Sequence, residues 1–258
     1  MGALVDKFVL ITGASRGLGR QLALDFARAG AAKLALVARS ADALAQVRAD
    51  LRRITPTTES VGIVADLARG EDVDRVAATT LAAFGGQLDV LVNNASALGP
   101  TPMPFLLDYP PDDFRHVLDT NLVAPFLLIR QLLPALVGRR GSIINVSSDA
   151  GVVGYPGWGA YGISKSGIEG LSRTWAVELE GSGVRVNWVD PGAMNTAMHR
   201  AAEPDEDPTQ WADPAAAAGV FLYLASDESR GVSGKRFLAQ EPGWGRGVEA
   251  AGVGGVRS

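Results

Sequence analysis

The chain has 258 residues, 47% of them hydrophobic and 20% charged, with a formal net charge of −4. That balance suits a compact folded protein with a large core rather than a disordered one, and the lack of a basic surplus argues against a nucleic-acid binder. Without cysteine there is no disulfide, thiolate nucleophile or Cys-ligated zinc, and with His116 and His199 as the only histidines a His-rich metal site is not expected.

At the N-terminus the apolar run KFVLITGA is too short for a secretory segment or a membrane span. A cytoplasmic protein without a membrane partner is therefore expected. Strand-like runs follow at FVLIT (8–12), KLALVA (33–38), SVGIVA (60–65), LDVLVN (88–93), GSIINVS (141–147), VRVNWV (184–189) and, more weakly, RFLA (236–239). Between them lie stretches such as LGRQLALDFARAG, with apolar residues at steps of three and four. Apolar strands alternating with helices predict an α/β protein: a single doubly wound Rossmann fold with about seven parallel strands and helices on both faces. No linker or repeat divides the chain, so 1–258 reads as one domain. The acid- and Pro-rich MHRAAEPDEDPTQWADP (198–214) predicts an irregular substrate lid at about 194–214. The Gly-rich tail after Gly243 reads as loose.

Directly after the first strand run comes TGASRGLG, with Gly13, Gly17 and Gly19, and then a helical pattern. A dinucleotide pyrophosphate needs backbone N–H groups at a helix N-terminus, with no Cβ in the way. The spacing is GxxxGxG, not GxGxxG, and without GK[ST] a nucleotide triphosphatase is disfavoured. The second strand run ends in VARS, so Arg39 stands where a carboxylate would bind the ribose 2′-hydroxyl of NAD, and Arg16 lies within the glycine loop. Two guanidiniums there suit a 2′-phosphate and favour NADP(H) over NAD(H), although both are also ordinary surface residues.

Further on, GAYGISKSG (159–167) places Tyr161 and Lys165 one helical turn apart on one face. A free phenol has a pKa of about 10, and bringing it near 7 takes about 4 kcal/mol. One ammonium at about 4 Å in an effective dielectric near 20 supplies about that much. The pair therefore reads as a candidate proton donor and acceptor, with Lys165 acidifying Tyr161.

Taken together, these motifs resemble the short-chain dehydrogenase/reductase family over essentially the whole chain. The resemblance rests on TGASRGLG (12–19), Asp66 in VADL, NNAS (93–96), Asn121 in TNLVAPF, VSSDAG (146–151), YGISK (161–165) and DPGAMNT (190–196), in that order. It implies a catalytic tetrad in which Tyr161 is the general acid/base, Ser148 positions the carbonyl and Lys165 perturbs the tyrosine and holds the nicotinamide ribose. Asn121 would hold a water connecting Lys165 to solvent, while Ser147 would be structural. It further implies cofactor contacts from Gly13, Ser15, Arg16, Gly17, Leu18 and Gly19 in the loop, from Asp66 and Leu67 at the adenine, and from Asn93 and Ala95 beside them; Asn93 and Asn94 together would tie the fourth strand to its neighbours and border the cofactor. Pro191, Gly192, Met194 and Thr196 would meet the nicotinamide end. Ser96 stands where the family usually has glycine, and AQEPGWG (239–245) replaces its usual DGG turn.

The implied activity is NADP(H)-dependent interconversion of a ketone or aldehyde with an alcohol. Tyr155, Trp158 and Met198 are candidate substrate contacts, with Met194, His199 and Trp211 nearby; His116 reads as structural. The partners implied are a small carbonyl or alcohol compound and further copies of the chain, a tetramer or dimer formed through 122–137, 167–180 and the last strand. A non-catalytic NADP(H) sensor on the same fold and a methyltransferase are the rival readings. A sensor would have lost part of the Ser148, Tyr161, Lys165 set, and a methyltransferase would not need it.

Overall fold

A computed structural model describes residues 2–241. The tail after Gly243 lies outside the described residues. Seven strands form one parallel sheet: β1 (Phe8–Thr12), β2 (Lys33–Ala38), β3 (Glu59–Val64), β4 (Val90–Asn93), β5 (Ser142–Val146), β6 (Arg185–Asp190) and β7 (Arg236–Leu238). Their order across the sheet is β3-β2-β1-β4-β5-β6-β7. Each predicted strand run is present, with ends moved by at most two residues.

The helices are α1 (Gly17–Arg28), α2 (Ala41–Ile54), α3 (Gly70–Ala83), α4 (Pro111–Leu118), α5 (Ala124–Arg139), α6 (Gly159–Glu178), α7 (Ala197–Ala202) and α8 (Ala218–Ala225). Alternation along the strands divides the core in two. Val9 and Ile11 of β1 pack with Leu22 and Phe26 of α1 and Phe221 and Leu224 of α8. Leu10 points the other way, into a cluster with Val76 of α3 and Leu128 and Leu132 of α5. The stretch Pro111–Arg139 is long and apolar enough by length and composition to cross a membrane. Here Leu128, Ile129, Leu132 and Leu136 are fully buried against the sheet.

Strand order reverses between β1 and β4, which opens a crevice at the carboxyl ends of the strands, where ligands bind in such folds. The sequence predicted irregular chain over 198–214, and here the structure differs. Thr196 accepts a hydrogen bond from His199 N and starts α7, Asp207 and Asp213 cap two Pro-initiated 3-10 turns, and Met194 bridges to Ala212. Local capping, not apolar periodicity, orders this segment.

Candidate active site

The glycine loop leaves β1 at Gly13, whose φ of +67° favours glycine and whose Cβ would stand 2.8 Å from Ala95 Cα. At Gly19 a Cβ would meet the Gly13 carbonyl oxygen at 2.3 Å, so backbone must pass there unobstructed. The N-cap of α1 is Arg16, which makes no side-chain cap bond, and no acidic residue lies in the first turn. The first-turn N–H groups are left for an anion. They face a cavity of about 390 Å³ walled by Gly13, Ser15, Arg16, Gly17, Leu18 and Gly19, by Arg39, Asp66, Leu67 and Ala95, and on its far side by Tyr161 and Lys165.

Two hydroxyls on this wall, Ser96 Oγ and Thr120 Oγ1, are buried without a partner among the described residues. Arg16 and Arg39 are exposed and make no ion pair among those residues. Unpaired cations, orphan hydroxyls and a floor closed to any Cβ fit the phosphates and riboses of a dinucleotide. His116, expected to be structural, lines the same cavity, as does Thr120. Neither carried a signal in the sequence, because both depend on how α4 meets the crevice.

The Asn93–Asn94 pair splits the two implied tasks, one to each residue. Asn93 Nδ2 donates to Asn145 Oδ1 at 2.8 Å and pins β4 to β5, and Asn93 does not line the cavity. Asn94 lines it and donates to the Thr12 carbonyl at 2.8 Å. Asn121 sits in a π-helical turn, Asp119–Val123, between α4 and α5. Its amide donates to the Ala97 carbonyl and to Ser164 Oγ, both at 2.9 Å, and accepts from Ala97 N at 2.7 Å. The side chain therefore anchors the loop after β4 and has little capacity left for a water.

Tyr161 and Lys165 project from α6 into the crevice, as the i,i+4 spacing predicts. Lys165 is 2% exposed, donates from Nζ to the Val146 carbonyl at 2.8 Å and lies 5.3 Å from the centre of the Tyr161 ring. Burial lowers the ammonium to about 8, against a smaller opposing pull from Asp190. The Tyr161 phenol is pushed up, not down: burial raises it most, a hydrogen bond with Ser148 lowers it, and Asp190 and Asp149 raise it again. The expected acidification of Tyr161 by Lys165 does not operate in the chain alone. The amine faces the ring, its proton is given to a carbonyl, and desolvation of the phenolate outweighs what remains.

Ser148 donates to Asp149 Oδ1 at 2.8 Å and accepts from Ala150 N at 3.2 Å. Ser147 is structural, as expected, and donates to the buried Glu169 at 2.7 Å. Beyond Tyr161 a second cavity of about 410 Å³ meets the first at Ser147, Tyr161, Pro191, Met194, Thr196 and Met198. Tyr155, Trp158 and Tyr161 form an edge-to-face ladder along it, with ring centres 6.3 and 5.5 Å apart. Gly192 and His199 line it too, whereas Trp211 stacks edge-on against His199 outside the wall. Asp149, Glu203 and Glu206 give it an acidic rim that the sequence reading did not single out.

A glycine-floored dinucleotide cavity opening onto Tyr161, Lys165 and Ser148 is the arrangement of a nucleotide-dependent oxidoreductase. Residues 7–207 match the family model for short chain dehydrogenase. The chain is 35% identical over 239 residues to the oxidoreductase YciK of Escherichia coli, covering 92% of this chain and 93% of that protein. It is also 35% identical over 244 residues to a 3-oxoacyl-[acyl-carrier-protein] reductase of Synechocystis, covering 92% and 96%. A short chain dehydrogenase from Shigella flexneri, solved in complex with NADP, superposes with a TM-score of 0.85 at 33% identity, covering 93% of this chain and 99% of that one. The chain belongs to the short-chain dehydrogenase/reductase family and is an oxidoreductase acting on CH–OH/C=O groups.

Proposed function

We propose that this protein is an NADP(H)-dependent reductase of a ketone or aldehyde, with Tyr161 as the proton donor. The observation that carries the reading is the meeting of the two cavities at Tyr161, one sized and charged for the dinucleotide, the other lined by aromatic and apolar side chains. When bound, the cofactor supplies or accepts a hydride at the carbon of the substrate. The chain's own residues handle the oxygen. Ser148 Oγ turns its hydrogen from Asp149 to the carbonyl oxygen, and Tyr161 gives that oxygen its proton. Burial keeps the phenol of the cofactor-free chain protonated, the form that donates in reduction.

Arg16 and Arg39 support NADP(H) over NAD(H), since either guanidinium can hold a 2′-phosphate. Of the relatives above, the Synechocystis protein is named a reductase and the Shigella flexneri structure holds NADP, and a cysteine-free chain suits a reducing cytoplasm. Association into a dimer or tetramer through α5 and α6 belongs to the same reading, because Phe126, Val137, Ile163 and Val177 stand exposed on those helices. The test is the fall of nicotinamide absorbance with a panel of thioester, cyclic and steroidal ketones, run with NADPH and with NADH. Reduction of one class with a clear NADPH preference is expected. No turnover with any carbonyl, despite NADPH binding, would defeat the proposal.

A further inference from the structure

Beneath the catalytic pair lies a buried ionic cluster that the reaction scheme does not use. Along α6, Tyr161, Lys165, Glu169 and Arg173 follow at steps of four, on one stripe. Glu169 is 5% exposed and Asp190, at the end of β6, is 6% exposed. The guanidinium of Arg236, from β7, closes both: Nε donates to Glu169 Oε1 at 2.9 Å, and one Nη donates to Asp190 Oδ2 at 2.9 Å and to the Ser148 carbonyl at 3.3 Å. Glu169 Oε1 also accepts from Ser147 Oγ, and Asp190 Oδ1 accepts from Gly192 N at 2.9 Å. One cation thus joins the serine turn after β5, the catalytic helix and the turn that lines the second cavity.

We propose that Arg236 is a positioning residue that fixes Ser148 and sets the charge balance felt by Lys165 and Tyr161. A plain staple between β7 and α6 would not need ions, because well-packed apolar groups fasten strands to helices as well or better. Placement argues for more: both carboxylates are anchored to backbone or side chains of the active-site turns. Arg236 also occupies Asp190, which leaves Lys165 on the Val146 carbonyl rather than in an ion pair. In keeping with this, Asp190 is among the groups that raise both Lys165 and Tyr161.

The other charged groups around the pair are Asp149 after β5, which accepts from the neutral Tyr155 phenol, and Arg173 on α6. His199, Glu203 and Glu206 face the second cavity, and His116, Asp66, Arg16, Arg39 and Arg200 face the first. All of these are retained in the variants below, so their influence is held constant.

The inference rests on the proposed role of Tyr161, but its test needs no substrate. Protein carrying 13Cε-lysine is titrated by NMR, with Lys165→Met assigning the signal. Burial lowers the Lys165 ammonium of the parent chain to about 8, which is the expected reference midpoint. Arg236→Met removes a positive charge and raises that midpoint by about one pH unit; Glu169→Gln removes a negative charge, keeps the hydrogen-bonding shape and lowers it. Arg236→Lys returns the midpoint toward that of the parent. Loosened packing would hydrate Lys165 and move both variants upward, so opposite signs separate charge balance from mere stability. Unmoved midpoints, or a shift upward in both, overturn the inference, and if Arg236→Met does not fold, an unmoved or raised midpoint in Glu169→Gln suffices. Loss of the proposed carbonyl reductase reading would show separately, as unchanged turnover in Tyr161→Phe.

Discussion

Lys165 carries its ammonium in a site 2% exposed, held at about 8 by burial against an ordinary 10.5. Between those two values the unfolded chain holds a proton on this lysine that the folded chain has released. The stability of the cofactor-free protein therefore rises with pH across that window, by at most ~3 kcal/mol from this group. Tyr161 acts oppositely and later: its raised phenol keeps a proton that the unfolded chain loses above 10, so stability falls again beyond that point. Denaturant unfolding at about pH 7.5 and 9.5 checks this. The parent is expected to be more stable at the higher pH and Lys165→Met to lose that difference; a flat parent would contradict it. At Arg39 the expectation concerns the ligand. Arg39→Ala should weaken NADPH binding about tenfold or more while leaving NADH nearly unchanged, as fluorescence titration would show. The Tyr161–Lys165 pair was legible because helical period fixes which side chains share a face. The direction of the phenol's shift was not, because it depends on burial and on two carboxylates brought from β6 and the turn after β5.

At the scale of elements, the junction of β1 with α1 carries the cofactor argument. A Cβ on residue 19 would stand 2.3 Å from the Gly13 carbonyl oxygen, and no flexible side chain can give way there. Gly19→Ala is therefore expected to lower NADPH affinity at least about tenfold while circular dichroism stays that of the parent. Retained affinity would mean the loop is not where phosphate sits. The strand runs and the glycine turn were readable from β-branched clusters and punctuation. Two elements were not. The segment from Ala197 to Ala217 is ordered by Thr196, Asp207 and Asp213 acting as caps, local bonds that hydropathy does not register. Arg236 read as part of a weak strand, and its reach to Glu169 and Asp190 follows only once β7 is laid beside β6 at the sheet edge.

For the whole molecule, strand order decides where chemistry can happen: the reversal between β1 and β4 opens the crevice, and the ends of β5 and β6 bring Ser148 and Pro191 to the same edge. That architecture was legible from the alternation of apolar strands and amphipathic helices; the identity of the substrate was not, because the second cavity is walled by turns and short capped segments. Exposed apolar residues on α5 and α6 give a whole-molecule expectation. Light scattering should report a dimer or tetramer, and Phe126→Glu on α5 should reduce it; a monomeric parent would contradict the proposed association.

The central claim is that Tyr161 passes the proton to the substrate oxygen. Its most direct test is Tyr161→Phe, measured for NADPH affinity and for turnover of a ketone that the parent chain reduces. Affinity within about twofold of the parent and turnover lower by at least about a hundredfold are expected. Turnover preserved in Tyr161→Phe would contradict it.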